Sequence, residues 1–578
     1  LGLIMLVFFS CSQGNDRKKI KESYNETLYD YDNDDVDFIS FKLDEKPDKA
    51  ILANLLKEKL DTAGLEPYFP NNKERKELED KLRGFYEEYD YEIVWTSSGG
   101  INSQAKELLD ALHNVSEEGL NAAHYNLHKF EDLFKKLNDG SGEDQNENLV
   151  KLDLLFTSSY LVLGSDLSTG RLNPYKFDNR WIPAVPEKDL KDHLIEAYES
   201  NRIRESFNDL IPDHPQYTKL KEALIQYKKL ADEYQWEVIE IDSVIQKGDS
   251  GQIIAEIRQR LDFLGDLESG TVEATAAKFD ASMESAVKSF QKRHGLLADG
   301  ILGPNTYDKL NIPLEAKINQ LKLNLEKVRW LPRELGKEYI LVNVPEFRLR
   351  VYNNNNIVDE MKVIVGKEFT STPIFSDTLE YLAFSPDWTV PVSILRENIF
   401  DHILQDPGYL ERNNYELYLD WDQNSEPVDP FSIDWHEVDR EEINYRLVQK
   451  PGPWNALGQV KFMMPNDMAI YLHDTPTSYL FDEKIRGFSH GCVRVERPLD
   501  LAEFLLKEDI SWDRNRIYQY LNLDEPENVI LPNKVPVHIV YKTAWVDEAG
   551  DVYFLSDIYN HDEIQMAALE KTLTSNSF

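Results

Sequence analysis

Apolar residues along this chain keep two periods, and the change between them divides it. Leu52, Leu55, Leu56 and Leu60 fall on one stripe of an amphipathic helix. Leu152, Leu155, Tyr160 and Leu163 predict another, and residues 51–240 read as one helical domain. The stretch Asn138–Asn148 has no core-forming residues and predicts a loop. Residues 244–312 form a separate small helical unit. Its first turn, at Gln246–Gly251, precedes a helix carrying Ile254, Ile257, Leu261 and Leu264. A second helix carries Ala286, Val287, Phe290 and Gln291, and Gly295 is placed to end it. A turn at Asp299–Thr306 starts a third, and 266–278 reads as an insertion.

From about residue 339 the period becomes two. Tyr339–Val344 and Phe347–Tyr352 predict strands, and Asn353–Asn356 a hairpin turn. The next strand places Met361, Val363 and Val365 on one side. Further strands are predicted at 379–384, 443–448, 459–464 and 468–473, with helices at 499–506 and 514–521. Residues 335–545 thus read as a β-rich domain, interrupted at 393–442 by an aromatic-rich insertion and followed by an extension, 546–578. The insertion fits a lid beside a site or a structural subdomain. The fold class expected is multidomain α+β.

At 578 residues the chain exceeds what one core supports. Its composition, 41% hydrophobic and 11% aromatic, is that of a globular protein. The net charge of −40 argues against nucleic acid as a partner, since phosphate binding needs clustered Lys and Arg. The chain has two cysteines, Cys11 and Cys492. Residues 1–11 are mainly apolar and too short to span a bilayer. They resemble a secretory h-region ending in a bacterial lipobox, although Phe8 stands where leucine is usual. Because the chain begins at Leu1, a basic n-region is expected upstream. Lipidation at Cys11 is the expectation, with residues 12–50 as an acidic tether; a buried N-terminal segment with an inert thiol also fits.

Candidate chemistry gathers in Ser489-His490-Gly491-Cys492-Val493-Arg494, nineteen residues after His473 for Cys492. A cysteine nucleophile needs a base and donors for an oxyanion. Cys492 and His473 supply the first two, and amides around Gly491 the third. A protonated imidazole beside the sulfur would lower the thiol pKa. On residue types alone, an inert buried thiol and a structural histidine fit as well. Metal-ligand spacing is lacking, so no metal is expected.

The whole string, His473-Asp474-Thr475-Pro476 followed by Ser489 to Arg494, resembles the signature of the L,D-transpeptidases, the YkuD-type catalytic domain. The segments 446–466 and 537–560 are similar to the large periplasmic members. Phe85-Tyr86, Trp95, Gly119-Leu120 and Asp166–Arg171 resemble their helical scaffold domain, and 244–312 resembles a three-helix peptidoglycan-binding module. That module also fits a helical spacer without a ligand. The resemblance implies Cys492 as nucleophile, His473 as base oriented by the Asp474 carbonyl, His490 near the sulfur, and Gly491 in the oxyanion loop. Ser489, Asp474 and Arg494 would contact substrate, Arg494 through a carboxylate; many members carry Asn there, and an ordinary surface ion pair also fits.

The reaction implied releases D-alanine from a tetrapeptide stem of peptidoglycan and forms a 3→3 cross-link through a thioester, with no cofactor. Carbapenems are expected to acylate Cys492. A hydrolase, or L,D-carboxypeptidase, using the same pair, and a non-catalytic wall-binding lipoprotein, are the alternatives. The location expected is periplasmic, with a lipid anchor in a cell-envelope membrane.

Overall fold

A computed structural model describes residues 41, 47–61, 65, 68–69, 75–97, 100–139, 145–182, 189–240, 243–267 and 277–571. Cys11, most of the expected tether and most of the insertion at 266–278 lie outside the described residues.

The helical region is organised around one long element. The first helix, α1 (Lys49–Asp61), buries Leu52, Leu56 and Leu60, the predicted stripe. The helix α2 (Gln145–Thr169) runs 25 residues and buries residues on every face, well beyond the stripe that periodicity marks. It is the central helix of its layer, so Asp153 and Thr157 are buried with the leucines. Those polar groups have partners. Asp153 accepts from Tyr86 Oη at 2.8 Å and from the Trp95 amide at 2.9 Å, and Trp95 Nε1 donates to Thr157 at 2.8 Å.

The small unit contains α3 (Gln252–Phe263), α4 (Ala281–Arg293) and α5 (Pro304–Leu310). Gly295, at φ +67°, ends α4; its amide bonds Lys292 and the next amide bonds Gln291. That pair of bonds is a Schellman cap, which the predicted glycine permits. The core of this unit extends beyond it. Ile257, Phe290 and Leu302 pack with Leu321 and Leu325 of a following helix, and with Ala544, Val546, Val552 and Phe554. These last four belong to a two-stranded hairpin, Ala544–Val546 and Val552–Phe554, so the chain returns from the β-rich domain to complete the helical module.

The β-rich domain is a nine-stranded sheet: β1 (Glu338–Asn343), β2 (Arg348–Asn353), β3 (Asn356–Gly366), β4 (Phe375–Phe384), β5 (Val460–Met463), β6 (Leu472–His473), β7 (Gly487–Ser489), β8 (Val493–Val495) and β9 (Glu527–Val540). Their order is β7-β3-β8-β6-β5-β4-β9-β1-β2, and β2 also pairs with β3, which closes eight strands into a barrel. Asn354 and Asn355 both take positive φ, the two-residue turn that matches strand twist. Met361, Val363 and Val365 all enter the core, as alternation predicts. The predicted strand at 468–473 is shorter, because Ala469 adopts φ +53° and the Asn466 side chain takes the Met468 and Ile470 amides. Residues 388–449 carry a separate three-stranded sheet and their own core around Leu395, Phe400, Leu417 and Trp435.

Candidate active site

Strand register builds the site. Lys461 on β5 pairs with His473 on β6, and His473 pairs with Arg494 on β8. Register partners in a sheet share a face. Cys492 lies two residues before Arg494, and Val493 N bonds Tyr471 O, so Tyr471 lies opposite Cys492. Five chemistry-bearing side chains, Lys461, Tyr471, His473, Cys492 and Arg494, therefore emerge on one face, while Phe462, Leu472 and Val493 between them point into the core.

Cys492 packs against the core on one side and is partly exposed on the other. Its Sγ lies 3.6 Å from the Ala469 carbonyl, which the left-handed turn at Ala469 presents. Burial holds the thiol above its ordinary value, and the Tyr471 backbone, Lys461, the Tyr471 hydroxyl and Arg494 offset this only in part. The lowered thiol pKa expected from the sequence is thus corrected: the sulfur rests as a neutral thiol. His473 is buried, and its Nδ1 stands 2.5 Å from the Asp474 carbonyl. A carbonyl only accepts, so Nδ1 holds the proton and Nε2 keeps its lone pair in the neutral ring. Burial and the Arg494 charge lower the His473 pKa to about 3, against the pull of the Asp474 carbonyl. The expected protonated imidazole is thus corrected: at rest this is a neutral ring, because burial beside two cations penalises a third charge.

The cysteine loop is held from beneath. Gly491 adopts φ +122°, and a Cβ there would meet Ile470 Cδ1 at 3.3 Å. Ser489 is buried; its hydroxyl donates to the Cys492 carbonyl at 2.6 Å and accepts from the Gly491 amide at 3.1 Å. Those bonds hold the Ser489 hydroxyl and the Gly491 amide inside the loop. The Asp474 carboxylate is likewise taken by the Gln459 and Thr475 amides, at 2.8 and 2.7 Å. Arg494 donates to Thr477 Oγ1 at 3.2 Å and forms no ion pair among the described residues, and its Nε is buried without a partner. His490 is exposed, with Lys367, Glu397 and Arg494 in its field. Glu397 belongs to the inserted region, which therefore borders the mouth of the site.

Several supports escaped sequence reasoning. Thr372 Oγ1 donates to the Gly491 carbonyl at 2.8 Å and accepts from the Gly366 amide at 2.9 Å. Tyr559 Oη donates to the Gly366 carbonyl at 2.8 Å. Arg180, from the helical region, donates to the Ser371 carbonyl at 3.0 Å and to its hydroxyl at 2.5 Å. These contacts join residues far apart in sequence, which no local pattern signals. Lys461 and Tyr471 did carry a signal, their alternation with core positions on predicted strands.

Cys492 and His473 thus stand on one face of a closed sheet, with Lys461 and Arg494 beside them. Residues 337–537 match the family described as "L,D-transpeptidase catalytic domain", residues 80–224 that described as "Scaffold domain", and residues 250–310 "Putative peptidoglycan binding domain". In chain order the matches are thus to a scaffold domain, a peptidoglycan-binding domain and an L,D-transpeptidase catalytic domain. It is 36% identical over 257 residues to a protein of Haemophilus influenzae named "Putative L,D-transpeptidase", covering 44% of this chain and 51% of the relative. It thus spans about half the length of that relative. A shorter stretch, 69 residues, is 39% identical to the N-acetylmuramoyl-L-alanine amidase CwlM of Mycobacterium tuberculosis, covering 11% of this chain and 17% of that one. Solved L,D-transpeptidase structures from Xylanimonas cellulosilytica and Stackebrandtia nassauensis are each 14% identical, with TM-scores of 0.17 and 0.19. They cover 52% of this chain each, and 98% and 95% of their own chains; similarity this low carries no argument.

Proposed function

We propose that the chain is an L,D-transpeptidase that forms 3→3 cross-links in peptidoglycan by way of a thioester on Cys492. The observation that carries this reading is the shared face of His473, Cys492 and Arg494 within the domain matched at 337–537. His473 Nε2 takes the Sγ proton as sulfur attacks the carbonyl after the third residue of a tetrapeptide stem. The carbon–nitrogen bond breaks, the ring returns the proton, and D-alanine leaves. The side-chain amine of a neighbouring stem then attacks the thioester, forming the new amide and freeing the thiol. Arg494, a cation without an ion pair among the described residues, is suited to a carboxylate of the stem. Carbapenems would acylate the same sulfur.

The apolar residues before Cys11 support a lipid anchor, and with the module at 250–310 a periplasmic site of action. The test is the mass of products from defined tetrapeptide muropeptides. Dimers one D-alanine lighter than two stems are expected from the wild type and none from Cys492→Ala. Trimmed stems without dimers would replace the reading with a carboxypeptidase, and dimers from Cys492→Ala would end it.

A further inference from the structure

The site face carries two cations, and the reading above employs one. Lys461 lies in register with His473 on the neighbouring strand. Its Nζ stands 3.9 Å from the centre of the Tyr471 ring. Tyr471 in turn addresses Cys492 with both its backbone and its hydroxyl. Nζ has no hydrogen bond or ion pair with any described residue. Burial disfavours this half-buried ammonium, and negative charge forming nearby on Cys492, with a smaller part from Asp387, favours it.

The groups facing the sulfur are Lys461, Tyr471, His473 and Arg494. The groups whose charge reaches Lys461 are Cys492 and Asp387, and Tyr471 lies beneath it. Those reaching Arg494 are Cys492 and Tyr479. The sulfur is thus the negative centre that both cations share.

We propose that Lys461 is the positioning residue that stabilises the Cys492 thiolate as it forms, its ammonium held over the Tyr471 ring on the same face as the sulfur. The proposal rests on Cys492 being the nucleophile. Lys461 transfers no proton: the thiol proton passes to His473 Nε2 or to solvent, and the ammonium keeps its three. A cation fixed on a neighbouring strand of the same face stabilises the anion without the imidazolium that burial disfavours. The resting lysine pays for its partial burial through the tyrosine ring, a cation–π contact that costs no counter-charge.

The experiment is the pH profile of Cys492 alkylation by iodoacetamide in the full chain, mapped by peptide mass so that Cys11 is counted apart. In Lys461→Met and Lys461→Gln the midpoint is expected to rise by about one pH unit, which is about tenfold slower labelling at neutral pH. Lys461→Arg is expected to stay near the wild type. An unchanged midpoint in both neutral variants, with unchanged melting temperature, would overturn the proposal. So would an equal shift in Lys461→Arg, which would mark a packing effect, and so would a wild-type thiol that resists labelling at every pH. A wild type with the Lys461-dependent profile that forms no cross-links would defeat the proposed function alone. One that forms cross-links while the profile ignores Lys461 would defeat this inference alone.

Discussion

His473 and Arg494 are register partners on the parallel strands β6 and β8, so the ring and the guanidinium stand side by side on the site face. Burial keeps the imidazole neutral at rest, and the Arg494 charge adds to it in lowering the ring to about 3. A neutral ring is a ready proton acceptor at physiological pH, provided the sulfur gives up its proton when substrate arrives.

Replacing His473 with alanine removes that acceptor. Turnover is expected to fall about 100- to 10,000-fold with little change in KM. Steady-state kinetics on tetrapeptide stems checks it. A fall in affinity alone would assign His473 to binding.

The same group leaves a mark on stability. A free histidine titrates near 6.5, while His473 in the fold titrates near 3. Below the unfolded pKa the unfolded chain therefore binds a proton that the folded one refuses. Its contribution is present above about pH 6.5 and is lost progressively as pH falls toward 3, by up to about 1.4 kcal/mol per unit. The urea midpoint of the wild type should drop relative to His473→Asn as pH is lowered from 7 to 4. A constant difference would contradict the neutral ring.

Gly491→Ala forces a side chain onto φ +122°, with Ile470 Cδ1 at 3.3 Å from its Cβ. Strain of about 1–3 kcal/mol is expected. The melting temperature should fall, and meropenem should label Cys492 more slowly. Normal labelling would show that the loop tolerates another conformation.

Arg180 ties the helical region to the loop beside Gly491 through Ser371. Arg180→Met is expected to lower the acylation rate several-fold and the melting temperature by a few degrees, since this pair of hydrogen bonds is worth about 1–3 kcal/mol. Stopped-flow acylation measures this. An unchanged rate would leave Arg180 as an interdomain tie only.

Much of this was legible in the sequence, and what was hidden follows one rule. Period-two alternation revealed Met361, Val363 and Val365, and the Asn354-Asn355 turn, because these depend on neighbours a few residues away. The spacing of His473 and Cys492 revealed the candidate pair for the same reason. Hidden were features set by register or by chain return. Lys461 and Tyr471 join the site through three strands whose order does not follow the sequence. Val552 and Phe554 enter the core of a module about 250 residues upstream. Ser489 and Asp474 were visible as residues, but their bonds into the loop depend on its folded shape.

The most direct test of the central claim is the intact mass of the protein after brief exposure to a tetrapeptide stem without an acceptor. A covalent adduct equal to the stem minus D-alanine, mapped to Cys492 and absent from Cys492→Ala, is the result expected. Cross-linking that proceeds with no adduct on that sulfur, or with the adduct on another residue, would contradict it.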